Sequence, residues 1–404
     1  MSHSSSSESS LLPAAHRDLS GATRNRARYA TMALFFVAGM AYASWGVHVP
    51  TVRDKFALNP AWLSFALLAL TGGSIASMAV NPKWIARVGT RRACLAGGIL
   101  MSAATALILV APTYWLLLPV LAAFGIGLAM LDVAMNAEAS AVEAAIGRPI
   151  MSSLHGMFSL GGMAGAAAGG LALSHGMAPA LHLAVVAAAS AAVLGIACPS
   201  VLPHVPHVEH AHGGAARASR WRSPVLWALG VVALIALVAE GAMYDWATVY
   251  MRDVVRASPG LASAGYAAFS GAMAAGRFAG DAVRARFGAA QLVLASASLA
   301  CAGMIGALAL PSPLAVLTGF AMMGLGLANM MPVLFAAAMR VKGIHAAEGL
   351  AHVAGVAYVG LLLGPVMIGG VAQVTNLSIG LSVVALCAAL VAVIGPKVLK
   401  RLGI

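Results

Sequence analysis

Residues 114–137 read YWLLLPVLAAFGIGLAMLDVAMNA. With no Lys or Arg and a single acid, Asp132, the stretch has the roughly 20 mainly apolar residues that a helix needs to cross a bilayer. Working outward, segments of similar length and character stand at 28–52, 60–82, 92–112, 151–174 and 177–200, then after a break at 224–249, 260–280, 289–310, 313–338, 348–372 and 377–396. Only 9% of the 404 residues are charged, 61% are hydrophobic and the mean hydropathy is +0.90, which excludes a water-soluble domain of this size. The segments are rich in Ala, Leu, Gly and Val and show no strand-like alternation, so helices rather than a barrel satisfy the backbone in lipid. The expected fold is an all-α membrane protein with twelve transmembrane helices in two six-helix bundles.

The charges orient it. Twenty of the 24 Lys and Arg residues fall on one side: among them Arg24, Arg26 and Arg28 before the first span, Lys83, Arg87, Arg91 and Arg92 in the 2/3 loop, Arg277, Arg284 and Arg286 around the 8/9 loop, and Lys397, Lys400 and Arg401 after the last. Arg53, Lys55, Arg252 and Arg256 lie opposite. The positive-inside rule makes both termini and the middle loop cytoplasmic and places the chain in an inner (plasma) membrane. The net charge of +12 is thus topological; its residues are spread over many short loops, so no nucleic-acid partner is expected. The Ser-rich start MSHSSSSESS is not a basic-then-apolar signal, and the first span is expected to act as an uncleaved insertion signal. Cys94, Cys198, Cys301 and Cys387 sit in or beside apolar segments and imply no disulfide framework.

Outward from the quoted stretch, its Gly125 and Gly127 have counterparts at Gly324 and Gly326. The same separation of 199 residues relates Arg53-Asp54 to Arg252-Asp253, Gly89 to Gly288, and Gly161 and Gly165 to Gly360 and Gly364. One offset kept at separated places marks a duplicated six-helix unit. It divides the chain into a disordered tail (1–27), a first bundle (28–200), a cytoplasmic linker (201–223) and a second bundle (224–398). In the linker His204, His207, His210 and His212 with Glu209 are spaced so that they could share a metal ion. Neither a Cys nor a rigid scaffold fixes their geometry, so a solvated tether is preferred and no metal or cofactor is assigned.

Six plus six helices, a basic middle loop and a charged 2/3 loop repeated at 8/9 resemble the major facilitator superfamily over about residues 28–398. That family's 2/3 signature is matched by Arg87, Gly89, Arg91 and Arg92, with Ala86 where an Asp is usual; the second copy has Gly276, Arg277, Gly280, Asp281, Arg284, Arg286 and Gly288. The resemblance implies a gating role for Arg87, Gly89, Arg91, Arg92, Arg277, Asp281, Arg284 and Gly288. Within the family, Leu131-Asp132-Val133-Ala134-Met135-Asn136 resembles the L-E-x-A-x-N run of fucose-permease-like sugar/proton symporters, which implies a proton-linked carboxylate at Asp132 and a polar neighbour at Asn136. The first span shares the Trp45-Gly46 of that branch but lacks its following acid.

Acids inside spans carry the mechanism, because a charge near the bilayer centre costs about 2.5 kcal/mol or more. Asp132 and Glu240 are the proton-coupling candidates; a fixed interhelical hydrogen bond or ion pair is the alternative for each. Glu138 and Glu143 are expected to pair with cytoplasmic Arg residues such as Arg148. Glu240 and Tyr244 share a helix face, and Tyr42, Trp45 and His48 recur at three-residue steps on the first span. Together with Asn136, Trp246 and Asn329, the last beside the helix breaker Pro332, they are the expected substrate-binding set. Trp246 and Tyr250 read equally as interface anchors. His155 and His352 are expected at the cytoplasmic rim, and the four-residue glycine spacing suits close helix packing.

The sequence therefore reads as a monomeric, proton-coupled secondary transporter of a small polar organic solute, with sugar-like uptake favoured, its partners being substrate, protons and lipid. Efflux of an amphipathic compound and a non-transporting receptor on the same fold are the rivals. No nucleophile constellation or phosphate loop suggests an enzyme.

Overall fold

The computed structural model describes residues 19–202 and 223–403; the remaining tail and linker, with Arg17, Arg217, Arg220, Arg222, Glu209 and the four linker histidines, lie outside the described residues. In the first half the chain forms α1 (Gly21–Lys55), α2 (Pro60–Met78), α3 (Asn81–Val88), α4 (Thr90–Leu107), α5 (Tyr114–Ile146), α6 (Met151–Ser174) and α7 (Pro179–Ala197). The second half forms α8 (Pro224–Asp253), α9 (Pro259–Phe278), α10 (Gly280–Arg286), α11 (Ala289–Ala309), α12 (Pro313–Leu327), α13 (Met330–Ala338), α14 (Ala346–Val374) and α15 (Leu377–Arg401). Among the described residues, ten spans are long and apolar enough to cross a membrane by length and composition alone, α12 and α13 forming one of them. Helix α4, whose first turn holds Arg91 and Arg92, and α9, diluted by Gly and Ser, complete the twelve transmembrane helices.

The helix starts repeat as the motifs do. Asn59 and Ser258 cap α2 and α9 through side-chain oxygens that accept from Trp62 and Leu261 N–H, each followed by Pro at the first helical position. Gly89 and Gly288 begin α4 and α11, and Thr113 and Ser312 begin α5 and α12, all at the 199-residue separation. The glycines repeat too. A Cβ on Gly165 would lie 2.5 Å from the Met40 carbonyl oxygen, so α6 touches the α1 backbone there; Gly360 and Gly364 bring α14 against α8 at Leu234 and Val238 in the same way.

Several boundaries differ from the sequence reading. Helix α1 starts at Gly21, ahead of residue 28, because Ser20 caps it by accepting from Thr23 N–H. The fourth span continues to Ile146, stopped by Gly147 at φ 73°. The 2/3 and 8/9 loops are the short helices α3 and α10. The tenth span is broken at Ala328–Asn329, and Pro332 falls in the first turn of α13, where its missing N–H leaves no hydrogen bond unmade.

The two bundles meet along α1–α8, α2–α14 and α6–α9. At one end Arg53 of α1 pairs with Asp253 of α8, and Arg252 of α8 with Asp54 of α1, a reciprocal cross built from the duplicated Arg-Asp dipeptides. Gln373 Oε1 accepts from Ala61 N–H at the same end (3.3 Å). At the opposite, basic end the polar contacts between halves, among the described residues, are those of α6 with α9: Ser152 Oγ donates to the Arg277 carbonyl (2.7 Å), with further bonds one and two turns deeper.

Candidate functional site

Midway between the two ends, α1, α5, α6, α8, α9 and α14 bring polar and aromatic side chains together. On α8 the one-turn spacing of Glu240 and Tyr244 places the phenol on the acid: Tyr244 Oη donates to Glu240 Oε1 at 3.4 Å. Arg277, on the last turn of α9, reaches back to the same carboxylate, with Nη2 to Oε1 at 3.1 Å and both side chains nearly out of solvent (12% and 11% exposed). Its other guanidinium nitrogen donates to Ser159 Oγ (2.7 Å) and the His155 carbonyl (3.5 Å) of α6, while Ser270 Oγ donates to the Ser159 carbonyl (2.8 Å). The ion pair thus belongs to the second half and is anchored in the first.

Around it stand rings from both halves. Tyr42 of α1 stacks on Phe124 of α5 (6.5 Å) and meets Tyr244 edge-on (5.5 Å); Tyr244 also meets Tyr266 (5.5 Å) and Phe269 (5.2 Å) of α9. Asp245 is close enough for its charge to act on Tyr42 and Tyr266. Across the centre, Asp132 on α5 accepts from Asn136 Nδ2 at 3.0 Å and has no cationic partner among the described residues. Tyr358 of α14 lies within electrostatic reach of both Asp132 and Glu240. Asp132, Asn136, Tyr42 and Tyr358 are all half-buried, on the open side of the cluster.

Of the residues expected to bind substrate, Tyr42 and Tyr244 meet here (5.5 Å), and Asn136 bonds Asp132 on α5. The others do not join them. His48 is buried within the first bundle, its Nε2 2.9 Å from His182 Nδ1 of α7. Trp45 and Trp246 are packed to 1% exposure, and Tyr250 donates to the Ala307 carbonyl (3.2 Å) inside the second bundle, so neither Trp246 nor Tyr250 is an interface anchor. Asn329 uses the break between α12 and α13 to donate to the Gly276 carbonyl (3.0 Å), binding two helices of one half to each other. Glu240 is salt-bridged rather than a free carboxylate, and its partner is the gate candidate Arg277, whose side chain turns back into the protein (12% exposed). Spacing could not show this, because the contact joins two helices through a long, flexible stem.

The remaining gate candidates lie on the basic end. Arg87, Arg91 and Arg92 are exposed, and Asp281 pairs with Arg284 one turn along its own helix. Gly89 adopts φ 83°, which only glycine takes up readily, whereas Gly288 has φ −62°. Glu143 and Glu138 do not pair with Arg148. Glu143 caps α6 by accepting from Ile150 and Met151 N–H (2.7 and 3.0 Å), and Glu138 accepts from Leu202 N–H (2.8 Å) and Thr90 Oγ1 (3.3 Å). Charge near a helix N-terminus and good backbone donors outcompete a solvated guanidinium there. His155 sits edge-on to Phe35 (5.3 Å) and His352 edge-on to Trp227 (4.9 Å). The four cysteines are free, and the described residues hold no cluster of three metal-binding side chains. Sequence reasoning missed Phe124, Tyr266, Phe269 and Tyr358, each of which looked like one apolar-span ring among many.

A twelve-helix membrane fold with a polar centre has known relatives. The chain is 32% identical over 358 residues to an uncharacterised MFS-type transporter of Yersinia pestis, covering 88% of this chain and 91% of that one. Among solved structures it resembles a bacterial homologue of the human lysosomal transporter Spinster in an inward-facing, unoccupied conformation (TM-score 0.74, 15% identity, 95% and 98% of the two chains). It also resembles the Escherichia coli fucose:proton symporter FucP (TM-score 0.63, 17% identity, 92% and 98%). The Major Facilitator Superfamily profile matches residues 31–365, and the chain belongs to that superfamily of multi-pass membrane transporters.

Proposed function

We propose that this transporter is proton-coupled, that Asp132 carries the proton, and that a small organic solute with a polar group binds among Tyr42, Asn136, Tyr244 and Tyr358. The observation behind this reading is the contrast between the two central acids. Glu240 is neutralised by Arg277, which is itself tied to α6, whereas Asp132 has only the Asn136 amide and is half-buried. A membrane-embedded carboxylate without a cation is most stable when protonated in lipid-like surroundings and gives the proton up when its surroundings become aqueous, which alternating access supplies. FucP, whose name couples fucose to protons, shares the fold and is consistent with such coupling. Positive-inside placement puts the basic end in the cytoplasm of a bacterial-type inner membrane, so the Arg53–Asp253 and Arg252–Asp54 cross seals the external end.

The test is solute flux in proteoliposomes under an imposed proton gradient. Flux driven with the gradient supports symport and flux driven against it supports antiport. Flux that ignores the gradient, or an Asp132→Asn variant still fully driven by it, overturns the assignment.

A further inference from the structure

Asp245 has no task in this scheme, yet it is the most secluded acid of the cluster. Its residue is 7% exposed, and no hydrogen bond or ion pair reaches it among the described residues. The cations and imidazoles nearby are engaged elsewhere: Arg277 by Glu240 and Ser159, and His48 by His182. Asp245 follows Tyr244 on α8, whose ring lies 5.5 Å from those of both Tyr42 and Tyr266, and the Tyr266 hydroxyl is itself buried without a partner. A lone carboxylate and an orphaned phenol, walled by aromatic faces, lack one thing: a cation with an apolar body, which ring quadrupoles and the carboxylate would hold together.

The external side leads there. A cleft of about 250 Å³ lies at the sealing cross, lined by its Asp54 and Arg252 together with Val47, Pro50, Thr248 and Ala262. Thr248 is one turn from Asp245 on α8, Ala262 is one turn from Tyr266 on α9, and Gly46, next to Val47, lies against the Tyr266 ring. Asp245 and Tyr266 therefore lie one helical turn from the cleft's lining residues Thr248 and Ala262.

We infer that Asp245, Tyr42, Tyr244 and Tyr266 form a subsite for a monovalent organic cation, an amine or quaternary ammonium on an apolar body, which enters or leaves through this cleft when the cross opens. The inference rests on the transport reading for its purpose, but its chemistry is tested by equilibrium binding alone.

The full-length protein in nanodiscs is titrated with benzyltrimethylammonium, with its uncharged isostere neopentylbenzene (empty nanodiscs subtracted) and with L-fucose. Wild type is expected to bind the ammonium at least about tenfold more tightly than the isostere, with no saturable binding of fucose. Asp245→Asn should lose about tenfold in ammonium affinity, and Asp245→Glu should retain most of it. Equal affinity for charged and uncharged probes, an unchanged affinity in Asp245→Asn, or binding of fucose alone overturns the inference. The probe comparison in wild type decides the matter even if the Asn variant does not fold. Retained ammonium binding with flux indifferent to a proton gradient removes the coupling reading and leaves this one standing; coupled flux of fucose without ammonium binding does the reverse.

Discussion

Removing both partners of the Glu240–Arg277 pair should damage the protein by clearly less than the two single removals summed. At 3.1 Å and an effective dielectric of about 20, the two charges attract by about 5 kcal/mol, most of which offsets the cost of taking them out of water. Glu240→Gln strands a guanidinium that is 12% exposed, and Arg277→Gln strands a carboxylate that is 11% exposed; each should cost about 3–5 kcal/mol. The arginine variant should sit at the upper end, because it also breaks the bonds to Ser159 and His155 that tie α9 to α6. The double variant leaves two neutral amides at hydrogen-bonding distance and should recover about 2 kcal/mol or more of the summed loss. The assay is a double-mutant cycle on thermal unfolding of detergent-purified protein, followed by size-exclusion monodispersity. Additive effects, or singles that each cost under about 0.5 kcal/mol, would refute a buried, mutually dependent pair.

Three further outcomes are expected. Gly89→Ala should destabilise by about 1 kcal/mol or more while its repeat partner Gly288→Ala is near neutral, since only Gly89 has positive φ; unfolding midpoints of the two compare them directly. Asp54→Ala combined with Asp253→Ala should open the end that carries the Arg-Asp cross, read as faster labelling of an engineered Thr248→Cys by a membrane-impermeant maleimide, and the charge-swapped pair Arg53→Asp with Asp253→Arg should restore protection; unchanged labelling contradicts the seal. Gly280→Val should loosen the basic end, because its new side chain would collide with Asn329 Oδ1 and lie against Ser152 Oγ of the opposite half, which a fall in monodisperse yield would report.

The fold was legible because its causes are local or periodic. Span length, cap residues such as Asn59 and Ser258, and the Arg-Asp dipeptides at 53–54 and 252–253 repeat at one offset, so two bundles follow from the chain alone. Even there the pairing of those dipeptides across the halves was visible only as symmetry, since which Arg faces which Asp depends on how α1 and α8 lean together. The site was legible in part. Tyr42, Asp132, Asn136 and Tyr244 announce themselves as polar groups in apolar spans. Arg277 did not: its place near the end of α9 reads as a loop charge, and only its stem length and the approach of α6 carry it to Glu240. His48 misled for the opposite reason, because helical spacing from Trp45 gives a face but not the neighbour, and the neighbour is His182 on α7.

The most direct test of proton coupling at Asp132 is proton movement itself. Proteoliposomes carrying a pH-sensitive dye inside are given benzyltrimethylammonium or L-fucose with no imposed gradient, for wild type and for Asp132→Asn. Wild type should show a solute-dependent change in internal pH with one of the probes, while Asp132→Asn exchanges the same solute in counterflow with no pH change. An equal pH response in both proteins, or wild-type solute flux with no proton movement, would contradict the account.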